Sequence, residues 1–100
     1  RPFDLYPTWL DQLYPGGYDM YEFLRTEEFD AWLRALRDPL GKARILARLR
    51  SAKAGNLGDC VSVGGGVLEV RVHVGPGYRV YFTQRGRSVY LLLCGGDKRS

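Results

Sequence analysis

The chain has 100 residues, of which 45% are hydrophobic and 26% are charged, and its formal net charge is +4. This composition is ordinary for a globular protein, and a chain of this length has room for one core and one site because it buries only about two-thirds of its unfolded surface. No apolar run approaches the roughly 18 to 20 residues of a membrane span, and residues 1–4 lack the basic-then-apolar pattern of a secretion signal. The sequence therefore predicts a cytoplasmic protein with no membrane partner.

The two cysteines, Cys60 and Cys94, have neither the spacing of metal ligands nor a framework of further cysteines around them. They are predicted to be free thiols. The chain contains no nucleotide-binding loop, no serine-nucleophile elbow and no carboxylate cluster suited to a metal. We therefore expect neither a metal nor a cofactor.

Residues 1–19 differ in character from the rest of the chain. They contain three of the five prolines and the breaker Gly16-Gly17. Between these breakers, apolar side chains recur at helical spacing: Tyr6, Trp9, Leu10 and Leu13. The spacing predicts a short helix over residues 7–14 that docks on the rest, because two helical turns are not stable alone in water. Met20 is the only methionine, so we expect an extension over residues 1–19 and a domain over residues 20–100.

The first part of that domain has the pattern of a strand followed by a helix. Residues 21–25 begin with alternating aromatic and polar side chains, which is typical of a short strand. Thr26 is a suitable helix cap, with Glu27 and Glu28 in the first turn, where the helix dipole favours acids. The apolar residues then recur at i, i+3, i+4 and i+7: Phe29, Trp32, Leu33 and Leu36. The sequence predicts a helix with one buried stripe.

A second helix is predicted from Asp38-Pro39 to about Ala54. Aspartate is a good cap, and proline at the first helical position loses no hydrogen bond. The helix places its apolar residues inward and its basic residues outward, and Gly55 ends it. The inward residues are Ile45, Leu46 and Leu49. Because the link to the first helix is so short, the two are predicted to form an antiparallel hairpin.

The remainder of the chain predicts a loop and then three strands. Residues 55–66 end in three glycines and are predicted to be a flexible loop. Residues 67–74 alternate apolar and polar side chains, residues 78–83 return after a Gly-Pro-Gly turn, and residues 88–94 are apolar enough for a central strand. The predicted fold is α+β, with a strand and then a two-helix hairpin packed on an antiparallel β-meander. Both helical stripes are expected to pack on Val70, Val72, Val80 and Leu92.

The second helix carries basic residues without an intervening acid. Its candidates for nucleic-acid binding are Lys42, Arg44, Arg48 and Lys53. Lysine and arginine on one face release condensed counterions from a phosphate backbone, which favours RNA binding. A solvated helix face explains the same charges equally well. Both interpretations stay open on charge alone.

The strand alternation predicts one polar sheet face that contains Glu69, Arg71, His73, Arg79 and Tyr81. If the turn has three residues, His73 lies opposite Arg79 and Arg71 lies opposite Tyr81, about 5 Å apart. Two neighbouring arginines repel each other, so an anion between them would stabilise the arrangement. The alternative is that Arg79 pairs with Glu69, or caps the second helix, on a merely polar face.

This polar face suits cleavage of RNA by the 2′-hydroxyl of the RNA itself. The step needs a base for the 2′ proton, cations that stabilise the phosphorane, and an acid for the leaving 5′-oxygen. The arginines would clamp the phosphate, while His73, Tyr81 or Glu69 would move protons. A lone histidine is more often structural than catalytic, so both roles of His73 remain open.

Four segments carry a resemblance to a known family. They are TEEFDAWLRALRD (residues 26–38), GNLGD (55–59), GPGYRVYF (75–82) and LLLCGGDK (91–98). Together they resemble the RelE superfamily, and within it the phage-derived addiction-module killer proteins. The resemblance implies a RelE-like fold with a strand, two helices and a three-stranded antiparallel meander, followed by a short helix. It also implies a bacterial toxin that cuts mRNA in the ribosomal A site without metal and that a cognate antitoxin holds silent.

The resemblance also implies roles for individual residues. Arg79, in the GYR segment, is similar in position to the phosphate-binding arginine of the family, and Arg71 lies close to where relatives keep a basic catalytic residue. Lys98 and Arg99 resemble a further basic element of the site, Lys98 as a catalytic and Arg99 as an RNA-binding candidate. Family sequences usually continue into a further helix after this point, and their pattern does not contain residues 1–19.

Two other functions fit the same residues. One is a non-nuclease toxin of the ParE kind, which shares the family fold and inhibits DNA gyrase. The other is an inactive domain whose basic face binds an antitoxin. The presence of Arg71, Arg79 and Lys98 favours the endonuclease, whose partners would be the ribosome, mRNA and the antitoxin.

Overall fold

The computed structural model describes residues 21–97. In chain order it contains β1 (Glu22–Arg25), α1 (Glu27–Ala35), α2 (Pro39–Lys53), β2 (Cys60–Gly64), β3 (Val67–Val72), β4 (Tyr78–Arg85) and β5 (Val89–Asp97). The predictions for residues 1–20, and those for Lys98 and Arg99, lie outside the described residues. Over residues 21–97, no helix is both long and apolar enough to cross a membrane.

Both helices begin where the sequence predicts. The hydroxyl of Thr26 accepts a hydrogen bond from the Phe29 amide at 3.1 Å and donates one to the Leu93 carbonyl at 2.6 Å. The cap of α1 is therefore also its anchor to β5. A carboxylate oxygen of Asp38 accepts from the Gly41 amide at 3.0 Å, and Pro39 opens α2. Local capping chemistry determines both starts.

The sheet differs from the predicted meander. It has five strands in the order β1-β5-β4-β3-β2, with β1 parallel to β5 and the other pairs antiparallel. The predicted fold, a strand and a two-helix hairpin on an antiparallel meander, is therefore wrong: the sheet is mixed. The helices also pack mainly on different strands, α1 against β5 and α2 against β3, instead of forming a hairpin that docks as a unit.

The missed strand is β2, which lies inside the segment predicted to be a loop. Its residues, Cys60–Gly64, pair with β3. Gly64, Gly65 and Gly66 all have positive φ angles, a backbone conformation that glycine adopts without steric cost. These glycines make a tight turn between two paired strands, so the same residues that suggested flexibility close a hairpin.

The predicted core is confirmed. The helices bury Phe29, Leu33, Ile45, Leu46 and Leu49 against Val70, Val72, Val80 and Leu92 of the sheet, and Trp32 and Leu36 are partly buried against this cluster. Three aromatic side chains that the prediction did not include complete the core: Tyr78, Phe82 and Tyr90. The face of the sheet opposite the helices is thereby left for polar groups.

The β3–β4 register differs from the predicted one by two residues. Arg71 pairs with Arg79 and Glu69 with Tyr81, because the connection spans residues 73–77 and not three residues alone. Successive side chains on a strand alternate between faces, so a shift of two residues keeps every side chain on its expected face. Glu69, Arg71, Arg79 and Tyr81 therefore share one face although the predicted register was wrong. Arg71 and Arg79 lie directly opposite each other.

Candidate active site

Glu69 is the centre of the polar face. Its side chain is only 5% exposed, and its carboxylate is held by three neighbours on β3 and β4. Arg71 Nε donates to Oε1 at 2.8 Å, Tyr81 Oη donates to Oε2 at 2.8 Å, and Arg79 Nη1 lies 3.6 Å from Oε2. One carboxylate therefore positions both arginines and the tyrosine.

This network sets the protonation of its members. The hydrogen bonds from Arg71 and Tyr81 hold the pKa of Glu69 below its ordinary value, and the bond to the same carboxylate raises the pKa of Tyr81. The pKa of Arg71 is raised, also chiefly by Glu69. At neutral pH the carboxylate is ionised and the phenol protonated, so Glu69 is a weak base and a counterion, not a proton carrier.

A second pair lies beside this network. His73 Nε2 and Asp59 Oδ2 are 2.5 Å apart, with side chains 71% and 42% exposed. The bond from His73 is the largest cause of the lowered pKa of Asp59. Asp59 is a candidate site residue that the sequence did not predict. It precedes β2, and only by recognising that strand could one place it next to β3.

An open cavity of about 230 Å³ adjoins both groups. It is lined by Arg71, Val72, His73, Gly77, Tyr78 and Arg79. The side chains of Arg71 and Arg79 remain 41% and 37% exposed, so both present part of their guanidinium surface to solvent. The cavity thus combines two cations and a histidine within a space large enough for a phosphate and part of a sugar. The phenol that lines it belongs to Tyr78, whose hydroxyl donates to Asp38 at 2.7 Å.

Of the four basic residues of α2 predicted to bind RNA, only Arg48 contacts the main chain of the site residues, and none lines the cavity. The helix packs on the opposite face of the sheet, and Arg50 is only 6% exposed, which contradicts the prediction that all its basic residues point outward. Arg48 is half-buried, and its guanidinium donates to main-chain carbonyls. Lys42 and Lys53 are half-buried, and Arg44 is exposed. For all four residues the RNA-binding role stays a prediction.

Both cysteines are free thiols, as predicted. Burial is the main cause of the raised pKa of Cys60 and of Cys94, which makes either a poor nucleophile at neutral pH. Within residues 21–97, no group of three histidine, cysteine or acidic side chains is placed to hold a metal ion. The candidate groups of the described site are the arginines, His73, Asp59 and Tyr81. Of these, Arg71, Arg79 and His73 line the cavity, while Asp59 and Tyr81 contact it only through His73 and Glu69.

The chain is 45% identical over 73 residues to an uncharacterized protein of Haemophilus influenzae, a match that covers 73% of this chain and 74% of the other. No family model matches the chain.

Proposed function

The chain belongs to the same family as this Haemophilus influenzae protein, and we propose that it is the toxin of a bacterial type II toxin–antitoxin system. Its activity is ribosome-dependent, metal-independent cleavage of mRNA in the cytoplasm. The observation that carries the proposal is the pairing of Arg71 with Arg79 at the mouth of a cavity that His73 also lines. The resemblance of the GPGYRVYF and LLLCGGDK segments to RelE-type toxins supports it independently.

The arginines supply the phosphate clamp. Directly opposed side chains on neighbouring strands lie about 5 Å apart, and the single carboxylate of Glu69 neutralises one of the two positive charges. The surplus charge is exposed at the cavity, where a phosphodiester restores the balance through charge-assisted hydrogen bonds. As the phosphorane forms, its additional negative charge strengthens those bonds, which lowers the barrier.

His73 and Asp59 supply the base. Asp59 accepts from Nε2 and stabilises the imidazolium, so Nδ1 is the ring nitrogen that takes the proton of the 2′-hydroxyl. The 2′-oxygen attacks the phosphorus, the bond to the 5′-oxygen breaks, and the products are a 2′,3′-cyclic phosphate and a free 5′-hydroxyl. Because the cavity is open, solvent protonates the departing 5′-oxygen. No cofactor enters the reaction.

The proposed partners follow from this chemistry. The ribosome presents mRNA to the cavity, and a cognate antitoxin covers the same cationic face to hold the toxin silent. Purified protein added to a translation extract with a defined message should produce discrete cuts within codons, mapped by primer extension. Uncut message in an extract that continues to translate would reject the proposal.

One contact favours a function without catalysis. The chain would then be either a non-nuclease toxin that binds DNA gyrase or an inactive antitoxin-binding domain. Glu69 already lies 3.6 Å from Arg79, so the arginine has a protein partner and requires no phosphate. Under this reading the polar face is a binding surface alone. Loss of supercoiling by gyrase, with the message left intact, would select it over the endonuclease.

A further inference from the structure

Arg48 reaches from α2 to the segment that leads into β2. Its Nη1 donates to the carbonyl of Arg71 at 2.6 Å, and its Nη2 donates to the carbonyl of Leu57 at 2.7 Å. A longer contact of 3.4 Å joins Nη2 to the carbonyl of Asp59. One side chain thus fastens β3 and the loop before β2 to the same helix.

The loop is shaped around this guanidinium. Gly58 lies between Leu57 and Asp59, whose carbonyls accept from Arg48. It has a φ of +64°, and a Cβ there would lie 2.6 Å from Nη2 of Arg48. Any other residue would strain the backbone and displace the guanidinium. The position of the Arg48 guanidinium therefore requires glycine at position 58.

What this contact holds in place is the second pair of the site. The carbonyl of Asp59 also accepts from the Arg71 amide at 2.9 Å, while the Asp59 carboxylate binds His73. The guanidinium, the loop and the two site residues form one connected series of hydrogen bonds. A change at Arg48 is transmitted to His73 through the Asp59 backbone and not through direct contact.

We propose that Arg48 is a positioning residue that holds Asp59 against His73 and the main chain of Arg71. Its catalytic consequence rests on the proposed function, but its structural consequence does not. This role differs from the RNA binding predicted for Arg48 from charge alone. A merely structural arginine would affect stability without changing the state of the His73 ring.

The first test reads the ring directly. His73 is the only histidine of the chain, so its ¹⁵N ring signals are identified without ambiguity. In Arg48→Gln these signals should move towards those of Asp59→Asn at the same pH. The signals of Arg48→Lys should lie between those of the wild type and those of Arg48→Gln. The control is Arg34→Gln, which removes the same charge from an exposed position and should leave the signals unchanged. Ring signals in folded Arg48→Gln that match the wild type would overturn the proposal.

Gly58→Ala keeps the test decisive if Arg48→Gln does not fold, because it leaves the arginine in the chain and displaces its guanidinium, although it also strains the backbone at residue 58. It should shift the His73 ring signals in the same direction. If the shift is absent in a folded Gly58→Ala protein, the guanidinium does not set the position of Asp59 and the proposal fails.

The second test separates positioning from RNA binding. With programmed ribosomes as substrate, a misplaced base should lower kcat by about 10- to 100-fold, since small displacements at a reacting centre have effects of this size. The KM should stay unchanged. A raised KM with unchanged kcat would show that Arg48 binds RNA instead. If the wild-type protein does not cleave at all, the proposed function fails, and the ring signals still decide the role of Arg48.

Discussion

Arg71 Nε and Glu69 Oε1 are joined by a 2.8 Å hydrogen bond between side chains two residues apart on one strand. The alternation of β3 places both on the face away from the helices. The carboxylate that neutralises part of the charge of the two arginines thus lies on the same strand as Arg71, and its contacts with both arginines hold them in place.

Glu69→Gln should destabilise the fold by about 1–3 kcal/mol, because it leaves two neighbouring arginines without their shared counterion and weakens a buried hydrogen-bond network. Urea denaturation at pH 7 measures the free energy of unfolding. The exposed Glu22→Gln on β1 is the control, and it should change stability by no more than about 0.5 kcal/mol. Equal stabilities of the two variants would contradict the central role of Glu69.

The lowered pKa of Glu69 predicts how the free energy of unfolding depends on pH. The pKa of Glu69 in the folded protein lies below its ordinary value of 4.5, so the unfolded chain binds the proton first as the pH falls. The stabilisation is therefore complete at neutral pH and is lost as the pH falls from about 4.5 through the folded-state pKa. Glu69→Gln should lose less stability than the wild type between pH 6 and pH 3. A parallel decline in both proteins would show that Glu69 is not involved.

Arg79→Ala should lower the rate of mRNA cleavage by about 10²-fold or more while the protein stays folded, since a clamp on the developing phosphorane acts mainly in the transition state. Arg71→Ala should follow with a smaller loss. Arg85→Ala, at the far end of the same strand, removes an equal charge and should cleave as the wild type does. Circular dichroism confirms the fold, and a wild-type rate in folded Arg79→Ala would remove that residue from the site.

Asp59→Asn and His73→Gln should each lower the cleavage rate by about 10²- to 10⁴-fold, the range that a general base contributes. Because the two side chains act as one unit, the double variant should be little slower than either single variant. Single-turnover cleavage of a defined message on programmed ribosomes measures this. Losses that multiply in the double variant would show that the residues act separately.

Gly95→Ala should destabilise the protein by about 1–3 kcal/mol, since a Cβ on β5 would overlap the ring of Trp32 on α1. Replacing the indole ring of Trp32 with the smaller leucine side chain should relieve the overlap. In a double-mutant cycle, Gly95→Ala with Trp32→Leu should therefore cost less than the sum of the single changes. An additive result would mean that the two residues are not in contact.

The helices could be predicted from interactions between residues close in sequence. Part of the candidate site could not, because it depends on pairing between strands that are distant in sequence. The caps at Thr26 and Asp38 and the periodic core depend on residues a few positions apart, and all are confirmed. The pairing of β1 with β5 and the short, glycine-flanked β2 leave no comparable periodicity. Asp59 was missed for the same reason, because it meets His73 only once β2 has joined the sheet.

The parallel pairing of β1 with β5 has a consequence for folding during synthesis. Thr26, directly after β1, bonds to Leu93, 67 residues later, and α1 also packs on β5. At the usual rate of about 5–20 residues per second, β1 and α1 wait several seconds after emerging before their partner strand exists. Closing so long a loop is also slow. The strands that carry the arginines emerge during this delay, so Arg71 and Arg79 leave the ribosome before β5 can pair with β1 and β4.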